Sequence, residues 1–157
     1  DDHPNLVISR SFSKAHGLAA LRLGFCVSNP ELSNYLNRVR QPFNANSLAL
    51  DLGKVALSDQ EHISKSVKIN SSGMDRVKKA FNNLDYDFIE SWGNFISFDA
   101  KQDSDVAFQY FLEKGVILRS LKVYEMPQHL RVSIGTKEEI NIFLQVLEDY
   151  EKDLSKK

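Results

Sequence analysis

Apolar positions along this chain recur with two spacings, and the change from one to the other marks out its elements. Leu6, Val7, Ile8 and Phe12 form an apolar, largely β-branched stretch that predicts a strand buried in a sheet. A second strand is expected over 23–28, through Leu23-Gly24-Phe25-Cys26-Val27. Helical spacing then takes over. Asn29-Pro30-Glu31 reads as an N-cap, a first-turn proline and an early acid, followed by Leu32, Tyr35, Leu36 and Val39. Gln41-Pro42-Phe43-Asn44 ends that helix, and another over 46–57 carries Leu48, Leu52, Val55 and Ala56. A long third helix starts at Ser58-Asp59-Gln60-Glu61 and runs toward Asn82. Asn70-Ser71-Ser72-Gly73, in its middle, has weak helix propensity and predicts a bend or a passage between domains.

The remainder reads as α+β. Phe95, Ile96 and Phe98 predict a strand, as do Val116-Ile117-Leu118 and Leu130-Arg131-Val132-Ser133-Ile134. Asp103 or Ser104 caps a helix that buries Val106, Tyr110 and Phe111 and ends at Lys114-Gly115. Thr136 with Glu139 makes a capping box, and Ile140, Phe143, Leu144, Leu147, Tyr150 and Leu154 form the apolar stripe of a last helix.

Composition narrows the function classes. The 20 basic residues nearly balance the 21 acidic ones, so no charge excess points to nucleic acid or to an acidic surface. No apolar run approaches membrane-spanning length. With Cys26 alone there is no internal disulfide; its apolar strand predicts a buried, inert thiol and a reducing, cytoplasmic setting. His3, His16, His62 and His129 have no metal-ligand spacing, and no metal is expected.

The chemistry concentrates in Ser11-Phe12-Ser13-Lys14-Ala15-His16-Gly17-Leu18-Ala19-Ala20-Leu21-Arg22. Alternation along a strand puts Ser11 and Ser13 on one face, where two hydroxyls suit a cluster of phosphate oxygens. Gly17 allows a turn, and Arg22, eight residues beyond Lys14, adds a planar fork of donors matched to phosphate. Lys14 lies between these anchors. A lysine in a partly desolvated pocket has a lowered pKa, and its neutral amine can attack an aldehyde to form a Schiff base. Ser11-Phe12-Ser13-Lys14 also matches S-x-x-K, the serine and lysine of penicillin-binding enzymes. That mechanism needs a helix-borne serine and a K-T-G element, whereas here the serine follows a strand and Gly135-Thr136-Lys137 has the wrong order.

This segment resembles the lysine segment of fold-type I pyridoxal-phosphate aminotransferases, in particular the histidinol-phosphate branch. The resemblance implies an α/β fold: residues 1–68 the end of the large cofactor domain, and residues 69–157 the small C-terminal α+β domain. It also implies that the lysine segment lies past the middle of a longer polypeptide, so that the sequence is a C-terminal portion. The aspartate at the pyridine nitrogen, the asparagine and tyrosine at the ring oxygen, and a tyrosine lent by a partner subunit would all lie elsewhere. By itself the portion is not expected to complete a working site. In the resemblance pyridoxal 5'-phosphate is the cofactor, Lys14 its covalent anchor, and Ser11, Ser13 and Arg22 its phosphate ligands.

Arg131 lies in an apolar strand between Leu130 and Val132, so it must face away from them and find an anion. A structural salt bridge would meet that need. The resemblance offers another reading, with Arg131 on the substrate carboxylate and Arg119 on the substrate phosphate. Asn94 reads equally as a turn residue and as the family's small-domain asparagine near the substrate. Arg40, Asn44 and Asn46 fit the R-x-P-[FY]-N-x-N stretch of the branch. Two departures stand out: His16 replaces the usual Phe or Tyr, and Glu125 a common glycine.

The function expected is amino transfer between histidinol phosphate and 2-oxoglutarate or glutamate, in histidine biosynthesis, by a cytoplasmic homodimer. Its partners are small molecules, an amino acid and a phosphorylated amino alcohol, with neither nucleic acid nor membrane. The alternatives are an aromatic aminotransferase or phosphothreonine decarboxylase of the same fold, and a non-catalytic α+β module.

Overall fold

The computed structural model describes residues 3–156, which divide into two compact units, Asp1–Ser66 and Val67–Lys157. In the first unit, β1 (Val7–Ser11) pairs antiparallel with β2 (Gly24–Ser28), in a register that sets Ser11 opposite Gly24. Three helices follow: α1 (Pro30–Val39), α2 (Ser47–Ser58) and α3 (Gln60–Asn83), the last of which continues into the second unit. Asn29 caps α1 through the amide of Leu32, with Pro30 in the first turn, and Asn46 caps α2 through the amide of Ala49. Phe12 is the anchor of the connection between the strands. It is 3 % exposed, and α2 closes onto it at Gly53, where a Cβ would stand 2.6 Å from the Leu23 side chain.

The buried central strand expected at Leu6–Phe12 is not what forms. Every residue of β1 is exposed, and so is Cys26 on β2, which corrects the reading of a buried thiol. The reason is that a two-stranded ribbon has two faces and, among the described residues, no sheet neighbour beyond its one partner. Val7, Ile8, Phe25 and Val27 therefore stay in contact with water.

The second unit is built on an antiparallel sheet of order β3-β4-β6-β5: β3 (Phe88–Ile89), β4 (Phe95–Asp99), β6 (His129–Ser133) and β5 (Arg119–Ser120). Side chains alternate across it. Ile96, Phe98, Leu130 and Val132 point to a core completed by Val77 and Phe81 of α3, Ala107 and Phe111 of α4 (Ser104–Glu113), and Ile140, Phe143 and Leu147 of α5 (Lys137–Leu154). The Phe98 ring lies 4.7 Å from that of Phe81 and meets Phe111 and Phe143 edge-on. The other sheet face carries Phe95, Ser97, Arg131 and Ser133. Thr136 and Glu139 form the expected capping box at the start of α5, and Asp103 caps α4.

Three expectations change here. Residues 116–118 are not a strand: the pairing with β6 begins one step later, at Arg119. Val106 is 54 % exposed, and Ala107 takes the core position beside Phe111. Finally, α3 runs without a break through Asn70-Ser71-Ser72-Gly73, so no bend forms there, and the division between the two units falls slightly earlier in the helix, between Ser66 and Val67. Packing overrides propensity at the expected bend, because Gly73 is buried where a Cβ would stand 2.6 Å from the Ile134 methyl. The two-residue β3 is too short to leave an alternating pattern in the sequence.

Two substitutions measure these layers separately. Phe98→Ala should destabilise the second unit by about 3–5 kcal/mol, and Thr136→Ala by about 1 kcal/mol, in chemical denaturation of the intact protein. A third prediction concerns alkali. Burial pushes the Tyr150 hydroxyl, which donates to the Ala100 carbonyl at 2.8 Å, from 10.0 up to about 12. The stability this gives is complete below pH 10 and lost as the pH rises toward 12. Tyr150→Phe should remove that component of the pH dependence.

Candidate functional site

The loop between β1 and β2 folds back on itself around Phe12, whose amide donates to the Leu23 carbonyl and whose carbonyl accepts from the Leu18 amide. Lys14 and Gly17 close a turn, with the Gly17 amide on the Lys14 carbonyl at 2.9 Å and Gly17 at φ 71°. A short 3₁₀ turn over Ala19–Leu21 then delivers Arg22 in the left-handed region, at φ 52°. The chain has thus doubled back, and the residues at its two ends meet.

They meet through hydrogen bonds. Arg22 Nη1 donates to the Ala19 carbonyl at 2.7 Å and to Ser13 Oγ at 3.4 Å. Ser11 Oγ accepts from the Ser13 amide at 3.0 Å. Ser11 and Ser13 were expected on one strand face, but β1 ends at Ser11 and Ser13 belongs to the turn. The burial of Phe12 between them bends the backbone, and the turn supplies the proximity that alternation would have given. In this arrangement both hydroxyl oxygens act as acceptors toward the protein. Each therefore keeps its own O–H to donate outward.

Lys14 is exposed, and its amine has no hydrogen bond or ion pair among the described residues. The first unit by itself does not supply the partly desolvated pocket expected around it. His16 lies with its ring 4.8 Å from that of Phe12, so it serves as an aromatic neighbour where a Phe or Tyr was expected. Arg40 Nη1 donates to Asn44 Oδ1 at 3.3 Å, while Asn46 is committed to capping α2.

In the second unit, Arg119 on β5 and Arg131 on β6 are direct cross-strand partners. Neither forms an ion pair among the described residues, so the structural salt bridge considered for Arg131 is not made there. The Arg131 guanidinium instead lies over the Phe95 ring, 4.7 Å from its centroid. Arg119 donates to the Tyr124 hydroxyl at 3.0 Å, with its guanidinium 5.7 Å from that ring's centroid. Asn94 is exposed just ahead of β4, and its backbone is fixed on both sides. Its own carbonyl accepts from the Ile134 amide at 2.8 Å, and the preceding Gly93 carbonyl accepts from the Asn70 side chain at 3.1 Å.

Two of these contacts were missed in the sequence. Tyr124 follows Arg119 by five residues, a spacing that belongs to no regular element. Asn70 acts across 23 residues and looked like a helix weakener. A cleft of about 560 Å³ in this unit, lined by Lys68, Arg76, Thr136 and Lys137, includes none of the candidate residues.

Along most of its length the chain is similar to known proteins. The profile of the aminotransferase class I and II family matches residues 1–147. A histidinol-phosphate aminotransferase 1 of Nitrosococcus oceani is 47% identical over 146 residues, covering 93% of this chain and 40% of the relative. A histidinol-phosphate aminotransferase 2 of Pseudomonas aeruginosa is 48% identical over 145 residues, 92% of this chain and 39% of the relative. The chain therefore spans about two fifths of the length of the curated relatives it matches. Among solved structures, the histidinol-phosphate aminotransferase of Clostridium acetobutylicum superposes with a TM-score of 0.86 at 18% identity, covering 97% of this chain and 47% of that one. The Sinorhizobium meliloti enzyme, in complex with pyridoxal-5'-phosphate, gives 0.82 at 23% identity, with 98% and 43% covered. These two likenesses establish the fold, that of a fold-type I aminotransferase.

Proposed function

The chain belongs to the class I and II aminotransferase family, and from that premise we propose that the intact protein transfers an amino group between histidinol phosphate and 2-oxoglutarate or glutamate. The observation that carries this reading is the arrangement of Ser11, Ser13 and Arg22 around the Lys14 turn. Pyridoxal 5'-phosphate is the cofactor of this reading, and the residues present fit it. Two hydroxyls held as acceptors by the protein have O–H groups to give, and Arg22 has guanidinium N–H groups beyond those of Nη1, which makes both of its hydrogen bonds. These three would hold the phosphate and Lys14 the aldehyde end. When bound, the cofactor supplies an electron sink for charge developing at the substrate Cα.

This chain's own residues would supply part of the remaining chemistry. With the cofactor held there, the Lys14 Nζ would be the base placed to take a proton from the substrate Cα and to return one. Arg131 would grip the α-carboxylate of glutamate with its planar fork. Histidinol phosphate has no α-carboxylate but brings a phosphate, and Arg119 would receive it. Each substrate thus brings an anion to the paired arginines in its own half of the reaction. Asn94 would add an amide donor and acceptor beside the substrate.

The reading also assigns residues 1–68 to the end of a large cofactor domain and 69–157 to a small C-terminal domain. It takes the protein as a cytoplasmic homodimer, on the strength of the family resemblance. A phosphothreonine decarboxylase is the main competing enzyme, because its substrate would use the same phosphate and carboxylate ligands.

Product analysis separates the two. With histidinol phosphate and 2-oxoglutarate the intact protein should form glutamate and release no carbon dioxide; carbon dioxide release from phosphothreonine without glutamate formation would overturn the assignment. Arg131→Ala should raise KM for glutamate by at least about tenfold, since a bidentate charge-assisted contact is lost. Arg22→Gln should weaken affinity for pyridoxal phosphate by at least about tenfold while leaving affinity for unphosphorylated pyridoxal nearly unchanged.

A further inference from the structure

We propose that Tyr124 is a positioning residue that aims the Arg119 guanidinium and thereby sets preference for phosphorylated substrates, an inference that rests on the assignment of Arg119 to the substrate phosphate. The starting point is electrostatic. Arg119 and Arg131 stand directly opposite each other on β5 and β6, and like charges in that relation repel. A long arginine side chain at an exposed strand end would swing away from its neighbour unless something held it.

Tyr124 holds it without neutralising it. The tyrosine hydroxyl accepts from Arg119 Nη2 at 3.0 Å, and its ring lies 5.7 Å from the guanidinium carbon. An aspartate or glutamate there would bind more tightly, yet would occupy the charge that an anionic substrate needs. A phenol offers one acceptor and an aromatic face, and leaves the remaining guanidinium donors and the full positive charge free.

The backbone between the two residues is built to keep this contact. Leu121 is 6 % exposed, its amide donating to the His129 carbonyl of β6. The Tyr124 amide closes back onto the Leu121 carbonyl at 2.8 Å, ending a 3₁₀ turn. Glu125 then takes the left-handed conformation at φ 62°, its amide on the Lys122 carbonyl at 3.1 Å. A buried leucine thus ties the turn to the sheet, and the turn fixes where the phenol stands. Nearby carboxylates do not compete: Asp103 and Asp105 both pair with Lys122, at 3.2 and 2.7 Å.

Tyr124→Phe in the intact, cofactor-loaded protein tests the proposal, because it keeps the ring and removes the one acceptor. KM for histidinol phosphate should rise roughly three- to tenfold, the loss of one hydrogen bond to a charged group, while KM for glutamate stays within about twofold. Arg119→Ala should raise KM for histidinol phosphate further, and Tyr124→Phe added to Arg119→Ala should have no additional effect. Equal rises for both substrates, or additive effects in the double variant, would mean a general structural role and would overturn the proposal. If Arg119→Ala left KM for histidinol phosphate unchanged while glutamate was still formed, the phosphate assignment of Arg119 would fall, and with it this inference, but not the transaminase reading.

Discussion

Two guanidinium groups directly opposite each other on neighbouring strands repel, and a sheet keeps such a pair only where their surroundings can accept the charge. In this chain the surroundings are neutral. Arg131 rests over Phe95 and Arg119 leans on Tyr124, contacts that steady a cation without cancelling it. The contrast lies three residues away. Lys122 is clasped by Asp103 and Asp105, and the Asp103 carboxyl is held below the usual carboxylate range, first by the Asp105 amide and then by Lys122. Carboxylates in the same unit are thus used on a lysine, while neither arginine of the pair takes one among the described residues.

The first unit handles its cation in the same way. Arg22 is held by a backbone carbonyl and a serine hydroxyl, again acceptors without charge. The device that makes this possible is steric. Phe12 is buried, the chain on either side of it must turn outward, and Ser11, Ser13, Lys14 and Arg22 end on the turned-out side. One apolar side chain therefore organises four polar ones. Gly53 of α2 lies against it, where a Cβ would stand 2.6 Å from the Leu23 side chain and 3.8 Å from the Phe12 ring.

Much of this was legible in the sequence, and the exceptions have physical causes. The caps at Asn29 and Thr136 and the apolar stripe of α5 were readable because they depend on local chemistry. The unbroken course of α3 was not, since only the closeness of Ile134 explains why Gly73 belongs inside a helix. Exposure of Cys26 and of β1 was not readable either: apolar strand residues announce a partner layer, and a two-stranded ribbon has none among the described residues. At the candidate site, residue types were legible but their connections were not. Ser11 and Ser13 meet through a turn rather than a strand face. The pairing of Arg119 with Arg131 depends on a strand register, and Tyr124 on a left-handed residue at Glu125.

Lys14 is the residue on which the functional reading turns, and covalent trapping examines it most directly. The intact protein would be loaded with pyridoxal phosphate, reduced with borohydride, digested and mapped by mass spectrometry. A phosphopyridoxyl group on the peptide containing Lys14, and none anywhere in Lys14→Ala, is the expected result. The same modification on a different lysine, or undiminished labelling of Lys14→Ala, would contradict it.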